Sequence, residues 1–260
     1  MALPPPASWR RGDGSRKELS KDMTERIAAL SALRKQIPVG AEEGLRLLAE
    51  TNGDIVAAVA QFKAEKLVLI LAKTGADASF CQQCLKANCF DIRQTLVQIE
   101  NSQYSVSERV FRKYKWPAQA LSKLALVVEQ ATQLQRKYWL TAAELAILNK
   151  PQYALLLVQE WIMYEEWEDF SAALSFEIEA VIEVFEQELK LPAVAANLCA
   201  ASQRSQKIKL TTSYQEAFRQ KGYAPEDPEI QQYEVVYQSQ RALIDESLYR
   251  YALARIALFP

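Results

Sequence analysis

Histidine is absent from this chain of 260 residues. That excludes imidazole general acid–base catalysis, Ser-His-Asp triads and histidine metal ligands together. Glycine is scarce, at seven residues, and only Gly222 lies beyond Gly75. Doubly wound sheets and phosphate-cradling loops need glycine at their tight turns, so from Ala76 onward the chain is neither. The four cysteines do not lay out a disulfide scaffold, since Cys81, Cys84 and Cys89 crowd into one predicted helical unit and only Cys199 lies elsewhere. The formal net charge is −1, which gives no global attraction to nucleic acid or anionic membrane. The longest apolar run, Leu67 to Ala72, falls far short of the roughly 20 residues that a membrane-spanning helix needs. No apolar stretch precedes a cleavage site near the start, so a cytoplasmic, reducing compartment is expected.

What is present is hydrophobic at helical spacing. Half of the residues are hydrophobic, enough for a sizeable core. From a cap at Thr24, Ile27, Leu30, Leu33 and Ile37 follow one helical face. Pro38 and Gly40 break that run, Asn52 and Gly53 end a second helix, and Asp54 caps a third. The same plan then recurs without a gap. Leu48 pairs with Leu85, Thr51 with Asn88, Asp54 with Asp91, Ile55 with Ile92 and Val59 with Leu96, each pair 37 residues apart. Repeats at such a period indicate stacked supersecondary units. The second copy has its break at Thr74, Gly75 and Ala76 and its turn at Asn88, Cys89 and Phe90. The predicted organisation is all-α: a disordered basic, proline-rich tail over 1–22, three-helix units over 23–63 and 64–101, a polar linker over 102–116, and a helical bundle over 117–260. Prolines at 117, 151, 192, 225 and 228 divide the bundle, with Pro117 and Pro151 placed to start helices and Thr141 placed to cap a short one.

Thr74-Gly75-Ala76, Cys81, Leu85, Asn88, Asp91 and Ile92, together with Asn52-Gly53-Asp54-Ile55 in the first copy, resemble the ubiquitin-associated fold, especially the amino-terminal domain of elongation factor Ts. The likeness covers about residues 24 to 100. It implies a compact three-helix module that docks on a protein through its first loop and the end of its third helix. The corresponding positions are Ile37, Pro38, Val39, Gly40 and Phe62 in the first copy, and Thr74, Gly75, Ala76 and Asp77 in the second. No counterpart of the larger core domain of elongation factor Ts follows residue 100, so nucleotide exchange is not implied.

Other constellations have plainer readings. Cys81 and Cys84 are i and i+3 on a helix and read as small buried hydrophobes; a closed zinc site needs four ligands. Residues 151–189 hold ten acidic residues and no lysine or arginine. They form an acidic dock for a basic partner, a match for the chain's own Arg109–Lys115 and Arg204–Lys209 clusters, or a solvated face with internal ion pairs. Trp161, Tyr164 and Trp167 recur every three residues and, with Tyr114, Trp116, Tyr138, Trp139 and Phe170, are expected in the core. Ile230, Tyr233, Tyr237, Ile244, Leu248 and Tyr251 form one stripe, which suits bundle packing or a homo-oligomer contact. The expected function is that of a non-enzymatic protein–protein interaction adaptor with no cofactor or metal, and the resemblance implies a partner from translation or protein quality control. The alternative is a metal-binding bundle or an enzyme working through carboxylates, with Tyr164, Glu165, Glu168 and Glu183 as its candidates.

Overall fold

The computed structural model of the chain describes residues 13–221 and 227–260, and among them there is no strand. The fold is all-α, as the sequence predicts. It divides into two compact units, Met1–Gln103 and Tyr104–Pro260.

The first unit contains α1 (Asp13–Arg34), α2 (Ala41–Glu50), α3 (Ile55–Thr74), α4 (Ala78–Ala87) and α5 (Ile92–Gln103). The internal repeat is present in backbone detail. Helices α2 and α4 both have ten residues and start 37 positions apart; α3 and α5 both start on isoleucine at the same offset. The turn before α3 runs through Asn52 (φ 51°) and Gly53 (φ 82°), and the turn before α5 through Cys89 (φ 49°) and Phe90 (φ 62°). The Gly53 N–H reaches the Leu48 carbonyl at 2.7 Å, and the Phe90 N–H reaches that of Leu85 at 2.8 Å. Asp54 accepts from the N–H groups of Val56 and Ala57, and Asp91 from that of Gln94. Even the exchanges of volume compensate. A Cβ on Gly44 would lie 2.4 Å from Leu30 Cδ1 and 3.3 Å from Val39 Cγ1. In the second copy Ala76 stands at the position of Val39, and Cys81 occupies the position of Gly44.

A phenylalanine in the left-handed region costs about 1 kcal/mol. Phe90 is retained there because its ring packs against the cores of both copies and meets Phe62 edge-on at 5.9 Å. Helix α3 is the other link. It is continuous from Ile55 to Thr74, with Ala58, Val59 and Phe62 in the first core and Ile70 in the second. The expected boundary at 63/64 falls inside this continuous helix, between the α3 residues of the first core and those of the second, and both copies belong to one compact unit. Residues 1–12 of the expected tail lie outside the described residues, but from Asp13 the chain is helical, eleven residues before the expected start at Thr24.

The second unit contains α6 (Val106–Lys113), α7 (Pro117–Thr132), α8 (Ala142–Leu145), α9 (Lys150–Trp167), α10 (Phe170–Ala173), α11 (Ile178–Glu183), α12 (Pro192–Lys209), α13 (Thr212–Lys221) and α14 (Pro228–Leu253). The expected linker over 102–116 is instead largely α6. Ser105 and Glu108 form a reciprocal capping box, and Val110 and Phe111 enter the main core. Prolines open α7, α9, α12 and α14, while Thr141, Asn149 and Asp227 cap α8, α9 and α14 through their side chains. The chain end folds back into this unit: the Ser107 N–H donates to the Pro260 carbonyl, and Asn149 and Gln152 donate to that of Leu258. Helix α9 sits near the centre, with every residue from Ala154 to Ile162 buried. The stripe on α14 faces inward; Tyr237, Ile244 and Leu248 are fully buried. It packs this unit's own core, so it cannot supply the subunit contact offered for it.

Candidate functional site

The residues expected to dock divide between core and surface. Ile37, Val39 and Phe62 are buried in the core of the first copy. Their side chains hold α1, α2 and α3 together and have no face left for a partner. Pro38, Gly40, Gly75 and Asp77 are exposed, and Thr74 and Ala76 are half-buried. The polar groups of the second loop are engaged locally. Thr74 Oγ1 donates to the Ile70 carbonyl and accepts from the Ala76 N–H, and Asp77 caps α4. Hydrogen bonds from Ser79, then from the Phe80 N–H, hold the Asp77 carboxyl below the usual range.

Exposed apolar residues of this unit include Ile27 on α1, Leu45 on α2 and Val97 on α5, and α3 has a continuous ridge of them. Val56, Ala60, Ala64, Val68 and Ala72, each four residues from the last, are all exposed. Val56 is 76 % exposed, Val68 65 % and the adjoining Leu69 40 %. The stripe is present in the sequence at helical spacing. It is hidden there because α3 is apolar on its buried faces as well, a pattern that ordinarily marks a wholly buried helix.

In the second unit Glu160, Glu165, Glu166 and Glu188 of the acidic segment are paired from within, by Arg136, Arg241 and Lys150. Glu160 is buried in α9 and receives both terminal nitrogens of Arg136, one at 2.9 Å, together with the Leu140 N–H at 3.0 Å. Arg136 also holds Glu129 at 2.7 Å. Arg241 pairs with Glu166 at 2.8 Å, and Lys150 with Glu188 at 2.6 Å. The expected Arg204 cluster is not the match; Arg204 binds Asp227 and Glu229. Of the candidate catalytic groups, Tyr164 stacks on Phe176 at 4.5 Å, Glu165 is buried, and Glu168 and Glu183 are exposed. No cavity described in this unit is lined by any two of these four. The aromatics divide as well. Trp161 and Phe170 are core, whereas Trp116, Tyr138 and Trp167 stand largely exposed against expectation.

Two places have unusual chemistry. At the α9–α14 contact, Arg241 lies among Glu165 (3.6 Å), Glu166 and Asp245 (3.8 Å), with the buried Tyr237 on the same face of α14. Burial first of all pushes the Glu165, Asp245 and Tyr237 groups up, against the attraction of Arg241. A carboxyl whose folded value is raised stabilises the fold fully below its unfolded value of about 4, and that stability is lost as pH rises through the folded value. Glu165→Gln, which keeps the oxygen that accepts from Gln238, should therefore raise Tm at pH 7.5. The gain should vanish toward pH 4 in melts followed across that range; a gain that is independent of pH would contradict this assignment.

The second place is a cavity of about 220 Å³ beside a π-helical turn, Val184–Glu188, lined by Lys150, Tyr153, Glu183 and Glu188 among others. Glu188 accepts from Lys150 and from the Tyr251 hydroxyl at 2.8 Å. The Lys150 hydrogen bond holds Glu188 below the usual carboxylate range, and burial and Glu188 push Tyr251 up to about 12. Tyr153 is raised by burial, then by Glu177 and Glu183. A low carboxylate beside high phenols is locked and is not a poised acid–base pair. Among the described residues, no group of three or more Asp, Glu, Cys or His side chains could hold a metal ion. No helix is long and apolar enough to cross a membrane among the described residues.

Comparison with known proteins concerns the second unit. The model of the YfbN C-terminal domain family matches residues 105–257. The Escherichia coli (strain K12) protein YfbN is 31 % identical over 153 residues, which cover 59 % of this chain and 64 % of that protein. No solved structure matches. The matched residues fall within the Tyr104–Pro260 unit and leave the duplicated unit outside. Since the match takes in more than half of the chain, the chain belongs to the YfbN C-terminal domain family.

Proposed function

We propose that this chain is a non-enzymatic, cytoplasmic adaptor that binds protein through its duplicated helical unit, joined to a YfbN-type helical unit. The observation that carries this reading is the exposed ridge of α3, where Val56, Ala60, Ala64 and Val68 stand in water at successive four-residue steps. Contiguous exposed apolar surface marks interaction sites, whereas scattered single residues do not. The face spans both copies because α3 belongs to both. The likeness of each copy to ubiquitin-associated modules supports the same reading and favours a partner from translation or protein quality control. It is the helix face, and not the loops that the likeness pointed to, that has the surface to offer. The engaged carboxylates of the second unit argue against the enzyme alternative.

The test compares affinity capture from lysate by the full chain and by Val56→Glu/Val68→Glu, both positions being exposed and the fold checked by circular dichroism. At least one specifically captured protein should be lost with the variant. An identical captured set would remove the basis for the adaptor reading.

A further inference from the structure

We propose that the α6 end of the second unit binds single-stranded nucleic acid, with Arg109, Arg112, Lys113 and Lys115 along the phosphates and a base stacked on Trp116. This surface shares no residue with the α3 ridge. The near-neutral net charge rules out a global attraction to phosphate and leaves a local one open. Between Glu108 and Glu129 stand five cations, Arg109, Arg112, Lys113, Lys115 and Lys123, and no acidic residue. Among the described residues none of the five is in an ion pair. Elsewhere in this unit Arg136, Arg204, Arg241 and Arg250 are each held by a carboxylate. Glu108, which adjoins the cluster in sequence, is turned back onto the Ser105 N–H at 2.7 Å. Arg109, Arg112 and Lys113 share one face of α6, opposite the buried Ser107, Val110 and Phe111. Side chains three and four apart on a helix stand about 5–6 Å from each other, close to the spacing of successive phosphates on an extended strand. The Arg112 guanidinium lies over the Tyr104 ring at 4.0 Å, which fixes its planar fork and leaves its N–H groups free to donate.

The indole selects the partner. Trp116 is 78 % exposed at the N-cap of α7, where its side chain caps no backbone N–H. Burial is what makes a tryptophan stabilising, and short polar residues are what an N-cap prefers, so neither packing nor capping accounts for it. Cations alone suit any polyanion. A flat aromatic face beside them suits an unstacked base, and every base has a face to offer. A duplex keeps its bases inside, out of reach of that ring. A helix that lies on a membrane turns its apolar side to the lipid, whereas Val110 and Phe111 of α6 are buried in the core. An acidic peptide would gain from a groove for its side chains, and no described cavity is lined by any of these residues.

The experiment uses the full chain and the fluorescence anisotropy of a labelled oligoadenylate of about twelve nucleotides, long enough for one such site. The wild type should bind with a Kd of about 1–100 µM at about 50 mM salt, and log Kd should rise with log salt at a slope of about 3, the value for four phosphate contacts on a single strand. Arg109→Gln/Arg112→Gln/Lys113→Gln should flatten that slope to below about 1. Lys137→Gln/Lys190→Gln/Lys207→Gln, which removes as much charge from other exposed positions, should leave the slope near the wild-type value. Trp116→Ala should weaken binding at least about fivefold, and Trp116→Phe should restore most of the loss. An abasic strand of the same length should bind the wild type as weakly as oligoadenylate binds Trp116→Ala, and should not respond to that substitution. Absence of binding overturns the proposal, as does binding that the first triple variant leaves intact or that treats the abasic strand and oligoadenylate alike. Vesicles of phosphatidylcholine and phosphatidylserine, and polyglutamate, serve as competitors. Tighter binding of either through the same residues assigns the surface to lipid or to acidic protein and overturns it too.

Discussion

Replacing Arg136 by methionine should destabilise the Tyr104–Pro260 unit by about 3–5 kcal/mol, the range found when one partner of a buried ion pair is removed. The reason is what stays behind. Glu160 is 1 % exposed, and without Arg136 it keeps only the Leu140 N–H. The pair itself contributes little net stability, because both charges give up water to form it. The loss comes from leaving one carboxylate buried alone. Arg136 also pairs with Glu129, 14 % exposed, so the triple variant Arg136→Met/Glu160→Met/Glu129→Gln should recover most of the loss and Arg136→Met/Glu160→Met part of it, since replacing buried charged partners together is often close to neutral. Urea melts of the three variants and the wild type check this. Equal destabilisation by the single and the double variant would show that the loss is one of packing and not of charge.

The second large effect is expected at Trp161. It is fully buried at the middle of α9, with its indole N–H on the Ala173 carbonyl at 2.9 Å. Its ring meets Tyr237 edge-on at 5.2 Å and Phe170 at 6.4 Å. Trp161→Ala should cost about 3–5 kcal/mol through the cavity alone. The orphaned Ala173 carbonyl adds about 1 kcal/mol or more. Trp161→Phe fills much of the volume and should lose less than half as much. Four of the five tryptophans, Trp116, Trp139, Trp161 and Trp167, lie in this unit. Fluorescence during denaturation therefore reports on it; a Trp161→Ala chain that melts within about 1 kcal/mol of wild type would contradict the central placing of α9.

The features read correctly from sequence are the local ones. Asp54, Asp91 and Thr141 cap helices because a short acceptor side chain before an apolar run reaches its own backbone, and nothing distant is needed. Pro117 and Pro151 begin helices for the same kind of reason. Asn52 and Gly53 adopt positive φ as expected, and the repeat frame carries that turn onto Cys89 and Phe90, two residues that would not suggest it on their own. The features missed depend on residues far apart. Ile37 and Val39 lie in a loop by sequence, yet α2 and α3 close over them. The carboxylates of 151–189 find Arg136, Lys150 and Arg241, the first and last of which lie outside the segment's neighbourhood in the chain. The capping box at Ser105 and Glu108 was readable, but the run of arginines and lysines behind it suggested a linker. The YfbN-type unit offers no motif that names a reaction, and its aromatic pairs and ion pairs are assembled across helices that share no pattern in sequence.

Sharing α3 changes how the duplicated unit responds to damage. In a chain of modules joined by linkers, each module melts on its own and a cut between them is harmless. Here the connection is the helix itself, so there is no flexible joint about which one copy can swing against the other. A backbone break near Lys63 or Ala64 would leave each core its own α3 residues but would end the helical continuity between them. Coupling through the continuous helix and the shared Phe90 ring should make order in one copy favour order in the other.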